Sequence, residues 1–211
     1  MRIIDISMDL NENTIVWVND AKPKLIPLAR KPEASVNFTW LDFGSHAGTH
    51  IDAPFYLFNE KWKSDEIPFE VLMGECQIID LTNVEDVIQV EDLKIHNIFC
   101  DRVLLKTKNS YDLMEKYNPK HIALSKDSAI YLRDLGIKLI GFDYQSFERN
   151  GDVEIHRIFM EQNIVALDNL RLKNTQEKVY KLICLPIKVI GIDAAPSRAI
   201  LIEGVDCGYK L

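Results

Sequence analysis

Short apolar runs rich in β-branched residues recur along the whole chain, and they make strands the dominant predicted element. No run reaches the roughly 18 uninterrupted apolar residues that a membrane-spanning helix needs. Proline and glycine residues are scattered as turn signals, and no Gly/Ser linker or internal repeat divides the chain. The predicted strands cover residues 2–6, 40–44, 77–81, 103–107, 138–142, 164–167, 179–190 and 198–203.

One helix is predicted with signals at both of its ends. Ser125 is a good N-cap, and Gly136 stands where a glycine commonly ends a helix. One face between them is apolar, formed by Ala129, Ile130, Leu132 and Leu135. Shorter helices are predicted at residues 90–97, 111–117 and 155–162. These elements predict an α/β protein, a single domain over residues 1–211 in which helices pack on a mixed sheet.

The composition is that of an ordinary globular chain, and it narrows the choice of partners. The 25 basic and 32 acidic residues give a net charge of −7 and a pI near 5.3, which argues against nucleic acid or an anionic membrane as a partner. The first residues show no signal-peptide pattern, so a cytoplasmic location is expected. The widely spaced cysteines predict buried reduced thiols at Cys76, Cys100, Cys184 and Cys207.

The segment 44–54 carries the clearest sign of chemistry. It holds His46, His50 and Asp52, and imidazole and carboxylate are ligands that zinc and manganese accept. Gly48 and Pro54 disfavour a helix, so a loop must bring the ligands together. In an extended segment His50 and Asp52 would point to the same side. The pattern predicts a metal site; the alternative is a pair of core or hydrogen-bonded histidines.

The same segment resembles the H-x-G-T-H-x-D-x-P signature of the cyclase family of metal-dependent hydrolases, which includes bacterial kynurenine formamidase and isatin hydrolase. The resemblance extends in order along nearly the whole chain. Residues 3–7 look like the opening strand of the family and residues 16–20 like a drifted W-P-G-D segment. Residues 141–146 resemble its G-x-D-x-x-S motif, and residues 196–199 resemble its P-x-R-A motif.

The resemblance implies a swivelling β/β/α fold and a centre for one or two divalent metal ions, zinc or manganese. His46, His50 and Asp52 would bind one ion, and Asp52 would bridge to a second. The family completes the second site with a histidine and, twelve residues later, a glutamate; His156 and Asp168 have this spacing, but Asp168 is one methylene shorter. Without the family, His156 would start a short helix and Asp168 would end the next strand, which could bring the two together. The alternative is a partly exposed helix histidine and part of a turn-forming Asp-Asn pair.

A second departure concerns the proton carrier. The family signature continues to a histidine two residues after the proline, and this chain has Tyr56 there. An unperturbed tyrosine has a pKa of about 10, so it can donate a proton but is a poor base near neutrality. Tyr56 is the candidate catalytic residue, although the aromatic run around it could also be core. Trp17 and Phe55, or Phe58, are candidates for an aromatic wall against the substrate.

The sequence therefore predicts a metal-dependent hydrolase that uses a metal-activated water on an amide, formamide or lactam-like carbonyl of a small molecule. The bond cleaved would be a C–N bond other than a peptide bond, as in an arylformamidase. The alternative is a family member that has lost hydrolysis and binds a small molecule, because Tyr56 replaces the expected histidine. The resemblance also implies a homodimer or homotetramer. His96 and His121 are expected at surface or cap positions.

Overall fold

Strands outnumber helices, as predicted, in the computed structural model, which describes residues 1–17, 20–112 and 116–204. The helices in these ranges are α1 (Phe69–Leu72), α2 (Val90–Lys94), α3 (Lys126–Asp134) and α4 (Glu154–Met160). The strands are β1 (Arg2–Asp5), β2 (Lys24–Ala29), β3 (Phe38–Asp42), β4 (His50–Asp52), β5 (Met73–Asp80), β6 (Val87–Ile88), β7 (Arg102–Lys106), β8 (Ala123–Leu124), β9 (Leu139–Phe142), β10 (Val165–Asp168), β11 (Val179–Pro186) and β12 (Ala194–Glu203).

Eight strands form one mixed sheet that closes into a barrel. Their order is β1-β12-β11-β5-β7-β9-β10-β4, and β12 pairs again with β4. One edge of β12 therefore serves two partners: Ile202 pairs with Ile3 of β1, and Ala195 pairs with Ile51 of β4. This pairing closes the sheet. A mixed α/β fold with packed helices is confirmed, and the swivelling β/β/α arrangement stays a prediction.

The strands bury side chains on both faces of the sheet, which separates two apolar clusters. Along β7, Leu104 belongs to one cluster, whereas Val103 and Leu105 belong to the other. The first cluster is formed mainly by residues of the strands themselves, and the second includes residues of α2, α3 and α4. Such two-sided burial explains why the central strands read as continuous apolar runs rather than alternating ones.

Three of the four predicted helices agree with the structure in type and differ in length. Helix α3 follows Ser125, whose Oγ accepts a hydrogen bond from the backbone N–H of Ser128. Helix α2 lies within the predicted helix at 90–97, and α4 overlaps the predicted helix at 155–162. The predicted helix at 111–117 has no support in the described residues. Tyr111 ends a 3-10 turn (Lys108–Tyr111), residues 112, 116 and 117 are not helical, and residues 113–115 lie outside the described ranges.

A hairpin of β2 and β3 forms a separate two-stranded sheet outside the barrel. It exposes large apolar side chains, with exposed fractions of 53% to 56% for Phe38, Trp40 and Leu41. Strand β2 was not predicted, because its proline and its mostly exposed residues carry no clear alternating pattern.

The cysteines that the structure describes agree with the prediction of buried thiols. Cys76, Cys100 and Cys184 are buried free thiols, as predicted, and Cys207 lies outside the described residues. Burial raises the pKa of the Cys184 thiol to about 12.

None of the helices within the described ranges is long and apolar enough to cross a membrane.

Gly141 on β9 permits a close approach of two buried leucines. A Cβ atom at this position would lie 2.4 Å from Cδ2 of Leu104 and 2.7 Å from Cδ1 of Leu170. We expect Gly141→Ala to lower the free energy of unfolding by about 1–3 kcal/mol, because overpacking forces these side chains to move. Urea denaturation of the metal-free protein measures this. Gly44→Ala is the control, since nothing lies within 4 Å of its added methyl group, and equal effects of the two variants would contradict the argument.

Candidate metal centre

A tight loop and the short strand β4 bring together the histidines of the signature. Ile51 packs in the barrel core, so His50 and Asp52 project from the opposite face of β4, as predicted. Gly48 has φ of +67°, a conformation that glycine adopts readily, and the loop folds His46 back towards them. His46 Nδ1 lies 3.2 Å from His50 Nε2 and 2.9 Å from Asp52 Oδ1, and His50 Nε2 lies 3.1 Å from the same oxygen.

Strand β10 and helix α4 add a second group of side chains to Asp52. Strand β10 runs antiparallel to β4 and pairs Asp168 with His50. Helix α4 places His156 above them, with Nε2 3.5 Å from Asp168 Oδ2 and 3.7 Å from Asp52 Oδ2. The ligand atoms of each group of three lie within 4.8 Å of one another, and Asp52 belongs to both groups. The structure thus juxtaposes all five residues that the sequence suggested as ligands.

Each of the three histidines is held by a hydrogen bond at the nitrogen that faces away from the cluster. The acceptors are one backbone carbonyl oxygen and two carboxylates, so the outer nitrogen carries the proton and the inner nitrogen keeps its lone pair in the neutral ring. The pairs are His46 Nε2 with Asp193 Oδ2 at 2.8 Å, His50 Nδ1 with the Gly48 oxygen at 2.8 Å, and His156 Nδ1 with Glu148 Oε2 at 2.7 Å. This is the arrangement expected of metal-binding imidazoles.

Glu148 and Asp193 are supporting residues that the sequence does not predict. Glu148 accepts the backbone N–H of His156 through Oε1 and the ring N–H through Oε2, and Ser146 Oγ donates to the same Oε2. Although burial acts to raise the pKa of Glu148, attraction to His156 keeps it below its usual range. The available signals were weak: Glu148 lies two residues after the G-x-D-x-x-S motif, and Asp193 lies three residues before the P-x-R-A motif.

The cluster carries an excess of negative charge that favours a bound cation. Burial raises the pKa of Asp168, and the nearby charge of Asp52 adds to this effect. Burial acts to lower the pKa of His46, but attraction to Asp52 and Asp193 outweighs it and raises the pKa to about 10. Asp52 Oδ1 and both carboxylate oxygens of Asp168 are buried and form no hydrogen bond with a described residue outside the cluster. Buried carboxylate oxygens that face three converging imidazole nitrogens fit a divalent metal ion.

A cavity of about 290 Å³ opens beside the cluster, and its lining includes Trp17 and Tyr56. Tyr56 is 38% exposed, and its ring centroid lies 5.0 Å from that of His46. Burial and the nearby carboxylates raise the Tyr56 pKa, so the phenol is protonated at neutral pH. Phe55 is not among the described residues that line this cavity; Lys63 Nζ lies 5.6 Å from its ring centroid. Phe58 packs against the cationic groups of Lys61 and Arg157 instead.

Other residues considered in the sequence have structural partners away from the cluster. The expectation of a surface or cap position for His121 is wrong: it is 1% exposed and stacks on Tyr144. His96 pairs with Glu177 near the surface. Arg198 of the P-x-R-A motif pairs with Asp5, which ties β12 to β1. Within the drifted W-P-G-D segment, residues 18 and 19 lie outside the described ranges.

The closed mixed barrel and the His/Asp cluster beside a cavity define a class of protein: a small mixed barrel with a candidate metal centre on its outer face. Residues 4–149 match the family model described as "Putative cyclase". The chain belongs to the cyclase family, and the resemblance seen in the sequence is confirmed.

Known proteins resemble the chain over nearly its full length. It is 30% identical to a kynurenine formamidase of Salinibacter ruber, over 98% of this chain and 100% of that protein. A solved structure described as a predicted metal-dependent hydrolase from Bacillus stearothermophilus is 32% identical, with a TM-score of 0.83 over 95% of this chain and 97% of that one. Isatin hydrolase A from Labrenzia aggregata shares the fold at 19% identity, with a TM-score of 0.84 over 95% and 93% of the two chains.

Proposed function

We propose that the protein is a metal-dependent hydrolase that cleaves the C–N bond of a small-molecule amide, formamide or lactam-like carbonyl. The observation that carries this proposal is the pair of His/Asp groups that share Asp52 at the wall of a cavity. The kynurenine formamidase and metal-dependent hydrolase among its relatives support the same reaction class. The comparisons give no support to the alternative of a binding protein without hydrolytic activity.

The chain provides ligands for one or two metal ions, zinc or manganese. His46, His50 and Asp52 would hold one ion, and Asp52, His156 and Asp168 would hold the other. When bound, a divalent metal polarises the carbonyl and activates a water molecule for attack on its carbon. The four carboxylates at the centre, those of Asp52, Asp168, Glu148 and Asp193, balance the charge of two divalent ions. Asp168 pairs with His50 across β10 and β4, and the ligand atoms of Asp52, His156 and Asp168 lie within 4.8 Å of one another despite the shorter side chain of Asp168.

Tyr56 is the residue of this chain that can supply a proton to the leaving nitrogen. Its pKa is raised, mainly by burial, which keeps the phenol protonated and makes it a donor rather than a base. It lies on the cavity wall near two of the three histidines of the cluster, and its ring centroid is 5.0 Å from that of His46 and 6.3 Å from that of His156. Trp17 on the same wall provides a flat apolar surface for an aromatic substrate.

Metal content is the first measurement, on protein purified without an affinity tag or chelator. We expect one or two equivalents of zinc or manganese in the natural protein and a loss of at least one in His50→Ala, because this buried ring contributes an inner nitrogen to the cluster. Hydrolysis of N-formylkynurenine, isatin and simple lactams would then be assayed with the metal-loaded protein. A protein that takes up no metal on titration would exclude the proposed mechanism.

The role of Tyr56 is tested by removing only its hydroxyl group. We expect Tyr56→Phe to lower kcat by about a hundredfold or more with an unchanged metal content, since a positioned acid contributes factors of this size. Tyr111→Phe is the control, because Tyr111 is exposed and does not line the cavity. Tyr56→His should also lower activity if tyrosine is the adapted donor. Unchanged kcat in Tyr56→Phe would remove Tyr56 from the mechanism.

Three further statements complete the proposal: one domain over residues 1–211, a cytoplasmic location, and assembly into a homodimer or homotetramer. The β2–β3 hairpin exposes several large apolar residues close together, and this supports self-association, because a cluster of exposed apolar side chains favours burial. The apolar strand β11 does not add to this argument, since Leu182 and Cys184 already pack in the barrel core.

A further inference from the structure

The cavity wall carries negative charges that the metal-ligand groups do not use. Asp20 and Asp152 line the cavity, and both are exposed. Within the described residues, neither forms an ion pair, and no lysine or arginine lines the cavity. Asp152 Oδ1 accepts the backbone N–H groups of Val153 and Glu154, which holds this carboxylate at the cavity wall. A bound metal would neutralise Asp52 and Asp168, whereas Asp20 and Asp152 would keep their charges.

Asn169 adds a buried acceptor that lacks a partner. It is 1% exposed and lines the cavity, and its Oδ1 has no hydrogen-bond partner among the described residues. Its side-chain orientation is fixed, because Nδ2 donates to the oxygen of Gly48 at 3.0 Å. Thr49 Oγ1 donates to the backbone oxygen of Asn169 at 2.6 Å, which anchors the residue further. An unpaired buried acceptor is costly, so a ligand that brings an N–H group to it gains affinity.

Two other features of the cavity, and the net charge of the whole chain, also favour a cationic ligand that carries N–H groups. Gln145, which also lines it, has a buried Oε1 without a partner. Trp17 and Tyr56 also line the cavity, and aromatic rings attract cations through their faces. The chain as a whole carries a net charge of −7, which raises the local concentration of cations and lowers that of anions.

We propose that the cavity selects amide substrates that carry a positively charged amino group, and disfavours substrates that carry only a carboxylate. Asp20 and Asp152 pair with the ammonium group, and Asn169 Oδ1 accepts an N–H group of the substrate. This inference rests on the proposed hydrolase function and assigns a substrate class to the same site. Asp20, Asp152 and Asn169 act in binding and selection, and the bond-breaking chemistry is left to the metal ligands and Tyr56.

Three formanilides with a common ring test the proposal. They differ only in one meta substituent, which is aminomethyl, methyl or carboxymethyl, so the substrates are cationic, neutral and anionic at pH 7.5. We expect kcat/KM of the zinc-loaded enzyme to fall in that order, with the cationic compound about three- to tenfold better than the neutral one, since two exposed carboxylates contribute modestly. The ratio should shrink in 0.5 M salt, because such charges are screened.

Isosteric variants assign the selectivity to the named carboxylates. In Asp20→Asn/Asp152→Asn, the ratio of kcat/KM for the cationic and neutral compounds should fall to about one, and asparagine at 152 still accepts the N–H groups of α4. Glu91→Gln is the control, because this exposed residue of α2 does not line the cavity, and its ratio should equal that of the natural enzyme. Equal rates for the three compounds, or the fastest rate for the anionic one, would overturn the proposal.

A binding experiment separates failure of this inference from failure of the proposed function. The same compounds are titrated into metal-free protein by calorimetry, where a carboxylate cannot bind to a metal. Tighter binding of the cationic compound, lost in the double variant, supports the inference even if the loaded protein hydrolyses none of them; that absence of hydrolysis would count against the proposed function. Hydrolysis without any charge preference in rate or binding would overturn the inference alone.

Discussion

Asp52→Asn is expected to lower kcat by about a thousandfold or more and to remove both metal ions or leave at most one weakly bound. Asp52 is the residue that the two His/Asp groups share, with its Oδ1 facing His46 and His50 and its Oδ2 facing His156. Asparagine keeps the shape but loses the charge, and metal catalysis contributes several kcal/mol, each 1.4 kcal/mol being a factor of ten. Elemental analysis and single-turnover rates measure the two effects together.

A graded comparison strengthens this prediction. Asp193→Asn removes a charge that reaches the cluster through the outer nitrogen of His46, and its other oxygen accepts a hydrogen bond from Ser45. The metal affinity of this variant should fall by about ten- to a hundredfold, and excess metal should restore activity. Asp52→Asn should not be rescued in this way. If Asp52→Asn retains full metal content and rate, the shared-ligand arrangement is wrong. If both variants behave alike, Asp52 has no special bridging position.

Phe159→Ala is expected to cost about 3–5 kcal/mol of unfolding free energy, a large part of the roughly 5–15 kcal/mol that holds a typical domain folded. Phe159 lies on α4 and is fully buried, and its ring centroid is 5.6 Å from that of Phe147. Phe147 in turn lies 5.1 Å from the ring of His156. The cavity left by the ring would therefore weaken the packing of the apolar cluster that includes residues of α2, α3 and α4, and with it the helix α4 that carries His156.

Denaturant unfolding in the presence of a chelator measures this loss without a contribution from metal binding. Phe69→Ala on α1 is the matched control, because that ring is 67% exposed and its removal should change stability little. Metal titration of folded Phe159→Ala should also show weaker binding at the group that contains His156. Similar stability losses for the two variants would contradict the assigned core position of Phe159.

The local geometry of the centre could be predicted from the sequence because it depends on short-range rules. Side-chain alternation in an extended segment places His50 and Asp52 on one side, and glycine at 48 allows the turn that returns His46. The expectation that His156 lies in a short helix and Asp168 ends the next strand also agrees with α4 and β10. Asp168 lies beside His50 and Asp52 because β10 pairs with β4.

The remaining features depend on contacts between distant segments, for which a single sequence gives little signal. The outer carboxylates of Glu148 and Asp193 are ordinary acidic residues until the fold places them against His156 and His46. His121 was expected near the surface, and its burial results from stacking on Tyr144, which lies on another segment. The closure of the sheet and the separate hairpin likewise depend on which strands pair, and an apolar segment in the sequence does not indicate the strand with which it will pair.

Strand β12 has a consequence for the order in which the protein acquires its centre. β4 is only three residues long and lies between β10 and β12, where Ala194 pairs with Asp52 and Pro196 with His50. The pairing of β4 with β12 joins segments more than a hundred residues apart. Because closing such a long loop costs conformational entropy, we expect this pairing to form late in folding. Asp193, which supports His46, arrives with the same strand. We therefore expect metal capture to follow barrel closure, so that partly folded chains in the cell do not compete for zinc or manganese.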